Sequence, residues 1–330
     1  MFTINLSDLQ LKNREIDPEL KKHSSQEILN LIDNETFIYD CFYRWDSLYC
    51  FSPPNSLYAW DKFFCQWNIR ETSISGKDVT LVLHKCNKVI IKSRVENILS
   101  NPFLEGIEIV KGKFPGRRKI LYTMQKDNKL SWIREWVRKY RDLHFIDTVI
   151  IYDNNSTEYS CSDVLNALCD LGIEIIVQNV PYKYGTTGKK NYEWKSNYLQ
   201  HAMLEHVRYR FCNKDSILIN SDIDEIIFTK SGLPIEAYLK NDIPFLLFNG
   251  HMFYVEKSNL ISNNLKSYED HNILEKKPYQ FNKWIARLNL LANDSMLKTH
   301  RIDGIEKPKI SEDLFYGHYD SISNNWNKRK

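Results

Sequence analysis

The 330-residue chain carries 45 basic and 42 acidic side chains, a formal net charge of +3, so no global basic field points to nucleic acid. With 42% hydrophobic and 26% charged residues it has the composition of a globular protein, and nothing in it points to long disordered stretches. Its longest apolar runs, such as Phe245–Phe248, fall far short of the ~20 residues a helical membrane span needs. The opening MFTINLSDLQLKNREID has no basic-then-apolar pattern, so no secretory peptide is expected and the location is expected to be cytoplasmic. The seven cysteines include no Cys-x-x-Cys pair and are expected to be reduced thiols, mostly buried.

In chain order, residues 1 to about 37 read as a polar helical lead-in, and 38 to about 75 as an aromatic, irregular stretch broken at Pro53-Pro54-Asn55. Val79–Leu83 and Val89–Ile91 flank a polar turn and predict a β-hairpin. Phe114-Pro115-Gly116 is a turn that closes a small β-rich appendage, 1–116. Ile120–Met124 then predicts a strand. Leu130, Ile133, Trp136, Val137, Tyr140 and Leu143 follow at helical spacing, opposite Arg134, Glu135, Arg138 and Lys139. Thr148–Tyr152 is a second strand, Ser162 to Leu171 a helix stopped by Gly172, and Ile173–Val177 a third strand. A long helix from about Tyr192 to Tyr209 leads to a fourth strand, Ser216–Asn220. This alternation predicts a doubly wound α/β unit with parallel pairing and right-handed crossovers. Such sheets bind ligands at the carboxyl ends of their strands, where the loops 125–128, 153–158 and 221–225 fall.

Asp222-Ile223-Asp224 is the central motif. If the strand continues through it, the two aspartates point the same way, and two hard carboxylates suit Mn²⁺ or Mg²⁺ with diphosphate oxygens completing its shell. An isolated Asp-x-Asp arises readily by chance, and the alternative is an acidic loop ending a strand. Placement directly after Ile217-Leu218-Ile219 favours the metal reading. The loop Asp153-Asn154-Asn155-Ser156-Thr157-Glu158 suits hydrogen bonding to a base and ribose, and equally suits an Asx turn capping the next helix.

Residues 119–158 resemble the opening of GT-A glycosyltransferases of the family 2-like and family 92-like kind. The resemblance rests on Glu135-Trp136, Tyr152-Asp153-Asn154-Asn155-Ser156, Asp222-Ile223-Asp224-Glu225 and a closing Gly317-His318-Tyr319 with Ile322, Trp326 and Arg329, in that order. Lys126-Asp127-Asn128 stands where the family has Asn-Glu, and Ile226 where an aromatic is common. The resemblance implies a GT-A fold, a Rossmann-like doubly wound mixed sheet over 117–330, with a donor half at 117–228 and an acceptor half at 229–330. It implies transfer, by inversion, from a nucleotide-sugar donor, commonly a UDP-sugar, onto a glycan or lipid-linked glycan acceptor, as in bacterial surface polysaccharide assembly. The expected donor-binding residues are Thr123, Gln125, Asp153, Asn154, Ser156 and Asp222. The expected metal ligands are Asp222, Asp224 and His318, with His300 the alternative histidine. An inverting transfer needs a general base, for which Glu256 is the first candidate and Asp270 the second. Trp284, beside Lys283, is a candidate for sugar stacking, and Gly185–Lys190 for a loop that orders around donor. The basic end 327–330 suggests contact with an anionic membrane surface, against a solvated tail. A nucleotidyltransferase or phosphohydrolase using the same aspartates, and a non-catalytic sugar- or nucleotide-binding protein, are the rival readings.

Overall fold

A computed structural model describes residues 1–16, 18–23, 25–66, 79–83, 86–184, 198–240, 242–255, 267–305, 308–320 and 322. The chain forms two compact units. The first comprises Met1–Lys113, Tyr182–Phe211 and Met296–Lys298, and the second Phe114–Pro181, Cys212–Ser295 and Thr299–Lys330.

The first unit holds a five-stranded sheet in the order Val79–Leu83, Asn87–Lys92, Ser47–Ser52, Asp40–Arg44, Glu108–Ile109. Val79–Leu83 and Asn87–Lys92 pair antiparallel, as the hairpin pattern implies. Side chains alternate strictly between two cores. Cys41, Tyr43, Leu48, Cys50, Val89 and Ile91 face Trp60 and Phe63 of the helix Leu57–Gln66. Phe42, Tyr49, Phe51 and Ile90 face Tyr209.

Tyr209 belongs to the helix Tyr198–Arg210, which sequence pattern assigned to the α/β unit. It groups instead with the first unit, so the expected boundary at 116 does not hold for 182–211. Every residue of this helix except Gln200 is buried, and its charges are buried because they are paired. Glu205 accepts from Lys88 at 2.9 Å, and Asp40 accepts from His206 at 2.7 Å and from Arg210 at 3.0 Å. Burial works to raise the Asp40 pKa, but His206 and Arg210 outweigh it and hold the group below its ordinary value. Burial pushes His206 below its ordinary value. Both folded pKa values thus lie below the unfolded ones, so the unfolded chain binds more protons as pH drops through about 6.5. Because other groups titrate in the same range, the pair is isolated by difference: the thermal midpoint of wild type minus that of His206→Gln is expected to fall from pH 7.5 to 5.5. A difference that rises over that range would overturn this assignment.

The second unit is built on an eight-stranded mixed sheet. Its strands are β1 (Lys119–Gln125), β2 (Thr148–Asp153), β3 (Glu174–Asn179), β4 (Ile217–Asn220), β5 (Glu225–Thr229), β6 (Phe245–Val255), β7 (His271–Arg287) and β8 (Lys309–Tyr319). They lie in the order β3-β2-β1-β4-β7-β6-β8-β5. β3, β2, β1 and β4 are parallel, and β7 joins β4 antiparallel. The helices α1 (Leu130–His144) and α2 (Cys161–Leu168) share one apolar core with the alternate residues Leu121, Val149, Ile151, Ile217 and Ile219. Both therefore cover the same face of the sheet, as right-handed crossovers between the successive parallel strands β1, β2 and β3 require. Ser160, two residues before the expected cap, receives the Asp163 amide and starts α2. No helix among the described residues is long and apolar enough to cross a membrane.

Candidate active site and metal centre

β4 ends at Asn220, residues 221–224 form a turn, and β5 begins at Glu225. α1 pins this turn through three side chains spaced four apart, which share one side of a helix. Trp136 Nε1 donates to the Glu225 carbonyl at 3.1 Å. The Tyr140 hydroxyl donates to Ser221 Oγ at 2.7 Å and accepts the Ile227 amide at 3.1 Å. His144 Nε2 donates to the Ile227 carbonyl at 2.8 Å. Leu143, expected on the buried face, is 40% exposed, and His144 takes its place. Tyr140→Phe leaves those buried partners short of one group, at a cost of about 1–3 kcal/mol. The variant is expected to fold with a lower melting temperature and to bind Mn²⁺ more weakly, although no ligand atom is changed.

The i, i+2 argument for Asp222 and Asp224 fails, because the backbone there turns instead of extending. Asp222 and Asp224 reach different partners, and Glu225 joins them. The Lys283 ammonium, 1% exposed, lies 2.7 Å from Asp222 Oδ2 and 2.7 Å from Glu225 Oε2. His318 Nε2 lies 3.7 Å from Asp224 Oδ2, and its Nδ1 3.6 Å from Glu225 Oε1. The Asp222 amide also donates to Glu225 Oε2 at 3.0 Å. Antiparallel register brings the distant histidine here: Glu225 pairs directly with His318 across β5 and β8, and the Tyr319 amide donates to the Asp224 carbonyl at 2.7 Å.

Asp224, Glu225 and His318 each offer a ligand atom, all within 4.8 Å of one another. Two carboxylates and an imidazole suit a divalent cation such as Mn²⁺. Asp222, expected as a ligand, is not in this group: its carboxylate is 37% exposed and engaged by Lys283. Electrostatics follow from crowding. Burial, with Glu225 and Asp222 adding to it, raises Asp224 to about 6. Burial works the same way on Glu225, but Lys283 and His318 overcome it and bring that carboxyl to about 2. Burial opposes a charge on His318, yet Glu225 and Asp224 raise it to about 9. On Lys283, Asp222 and Glu225 overcome burial and raise the ammonium pKa.

The expected donor loops are tied to each other. Gln125 and Asp153 pair across β1 and β2, and Gln125 Nε2 donates to the Asp153 carboxylate at 2.5 Å. Asp153 also receives the Ser156 amide at 2.9 Å and the Ser156 hydroxyl at 2.5 Å. This is the Asx-turn reading of the segment. Asn154 Nδ2 donates to the Val180 carbonyl at 2.8 Å. Thr123, Gln125, Asp153 and Asn154 are all buried, and the Thr123 hydroxyl has no hydrogen-bond partner among the described residues. Burial raises Asp153 above its ordinary value.

Asp270 closes its own turn: its carboxylate receives the Ser267 amide at 2.7 Å and the Ser267 hydroxyl at 3.0 Å. Those bonds hold its pKa below the ordinary value, which makes it a weak base. Glu256, Gly185–Lys190, Trp326, Arg329 and the basic end 327–330 lie outside the described residues. Trp284 is fully buried and is a core residue, where sugar stacking was expected. His300 donates from Nδ1 to the Asn282 carbonyl at 3.0 Å and stacks on Phe281. Sequence reasoning missed Glu225 as a ligand-bearing group, the double ion pair of Lys283, and Tyr279, stacked on His318 with ring centroids 5.0 Å apart.

A scan of the chain against protein-family models finds no match, and a search of curated proteins finds none.

Proposed function

We propose that the chain is a metal-dependent glycosyltransferase of GT-A type that takes a sugar from a nucleotide-diphosphate donor, with UDP-sugars the first to test. One observation carries the reading. A cluster of Asp222, Asp224, Glu225, His318 and Lys283 stands at the carboxyl end of β4, beside β1, where the strand order β3-β2-β1 reverses to β4. In open α/β sheets this is where ligands bind. The strand order β3-β2-β1-β4 followed by an antiparallel β7 also supports a GT-A arrangement.

Asp224, Glu225 and His318 would hold Mn²⁺ or Mg²⁺. Bound there, the cation would supply neutralisation of charge building on the departing nucleoside diphosphate. Lys283 holds Asp222 and Glu225 by ion pairs, and its ammonium would add a fixed positive charge near a departing diphosphate. The rigid turn under α1 keeps these groups preorganised. A glycan or lipid-linked glycan acceptor would enter from the β7 side, away from the β1 and β2 loops.

A thermal-shift panel of UDP, GDP, CMP and ATP, each with and without Mn²⁺, tests this. A nucleoside diphosphate is expected to stabilise the protein only with Mn²⁺, by about 2.7 kcal/mol at a hundred times its Kd. A UDP-sugar with Mn²⁺ and water should slowly release UDP. Release of pyrophosphate would favour a nucleotidyltransferase, and binding without turnover a non-catalytic protein.

A further inference from the structure

β7 does not run evenly past the metal centre. Asn249 of β6 pairs with Asn282, but the next residue, Gly250, pairs with Tyr279. Residues 280 and 281 are thus additional on β7, a bulge of the kind that re-aims side chains next to active sites. The bulge is fixed at several points. The Tyr316 hydroxyl donates to the Phe281 carbonyl at 2.8 Å, and His300 Nδ1 to the Asn282 carbonyl at 3.0 Å. The Tyr316 ring fills the space over Gly250, where a Cβ would come within 2.2 Å of it.

The consequence is a fixed aromatic plane. Phe281 lies nearly parallel to His300, centroids 4.7 Å apart at 16°, and meets the edge of Tyr279 at 5.8 Å. Tyr279 in turn stacks on His318, one of the ligand-bearing groups. Two ring pairs therefore stand side by side leading outward from the metal centre. The outer ring, Phe281, is 42% exposed. A half-exposed ring held at this orientation has little freedom to lose on binding, and its apolar face suits the C–H face of a sugar ring. Its side of the sheet identifies which sugar. β4 lies between β1 and β7. A nucleoside reaching the β1 and β2 loops leaves the β7 side to the group that receives the transferred sugar.

We propose that Phe281, set by the bulge and backed by His300 and Tyr279, is the platform on which a pyranoside ring of the acceptor stacks. The assignment rests on the glycosyltransferase reading, and its test separates the two. Wild type, Phe281→Ala and Phe281→Trp are compared in two measurements. One is Mn²⁺-dependent stabilisation by UDP. The other is saturation-transfer NMR with methyl glycosides of glucose, galactose and N-acetylglucosamine. All three proteins are expected to respond equally to UDP with Mn²⁺. Glycoside binding is expected in wild type, roughly tenfold weaker in Phe281→Ala, the scale of one aromatic stack, and retained in Phe281→Trp. Equal glycoside binding by wild type and Phe281→Ala, or none by wild type, overturns the platform. Glycoside binding that depends on Phe281 without any response to UDP and Mn²⁺ keeps the platform and sinks the nucleotide-sugar reading.

Discussion

Asp224→Asn is expected to lower sugar transfer about a thousandfold, while the protein melts no lower than wild type. The loss follows from removing one of two carboxylates that would hold the cation. Charge neutralisation by a metal is worth several kcal/mol in a transition state, and each ~1.4 kcal/mol is a factor of ten. The stability result has the opposite sign for a reason visible in the fold. Asp224 is raised to about 6 by burial and by its acidic neighbours, above its unfolded value. A raised carboxyl binds more protons folded than unfolded, so near neutral pH its ionised form works against folding. A neutral amide of the same shape removes that repulsion. Activity is read as nucleoside diphosphate release, and stability as the melting temperature without metal. Full activity in this variant would remove Asp224 from the chemistry.

The second large effect belongs to Lys283. Its ammonium is buried between two carboxylates at 2.7 Å each. Lys283→Met strips the counter-charge from Glu225, which is itself buried, and breaking a buried pair in this way costs about 3–5 kcal/mol. Asp222, partly exposed, recovers some hydration, so most of the cost falls on Glu225. The variant is expected to melt well below wild type without metal and to regain part of the difference on adding Mn²⁺, since a divalent cation supplies the missing positive charge. Its Mn²⁺ affinity is expected to rise, because the site has gained net negative charge. A melting temperature equal to wild type in metal-free buffer would show that the pair holds nothing in place.

What could be read in the sequence was local. The apolar runs around Ile120, Val149 and Ile217 locate β1, β2 and β4, because parallel strands buried on both faces read as continuous hydrophobic stretches. The acidic turn after β4 could be found for the same reason. The helix Tyr198–Arg210 is buried all round, so its sequence gives no one-sided stripe to say which unit it joins. His144 looked polar and Leu143 apolar, yet a hydrogen bond to the Ile227 carbonyl makes the histidine the inner residue.

The rest of the site depends on long-range register. Nothing near residue 318 says that it will lie opposite 225, since that pairing is set by β5 and β8 meeting at the sheet edge. The bulge that presents Phe281 is a mismatch between β6 and β7, and neither strand shows it alone. Asp222 was aligned with Asp224 by a period-two argument carried one step past the end of β4, where the backbone turns.

The most direct test of the account is a Mn²⁺ titration, followed by the electron paramagnetic resonance of free Mn²⁺, on wild type and on Asp222→Asn, Asp224→Asn, Glu225→Gln and His318→Ala. The account predicts one bound cation per wild-type chain, retained within a few-fold by Asp222→Asn and lost or weakened at least tenfold in each of the other three. Binding that survives unchanged in Asp224→Asn, Glu225→Gln and His318→Ala would contradict it.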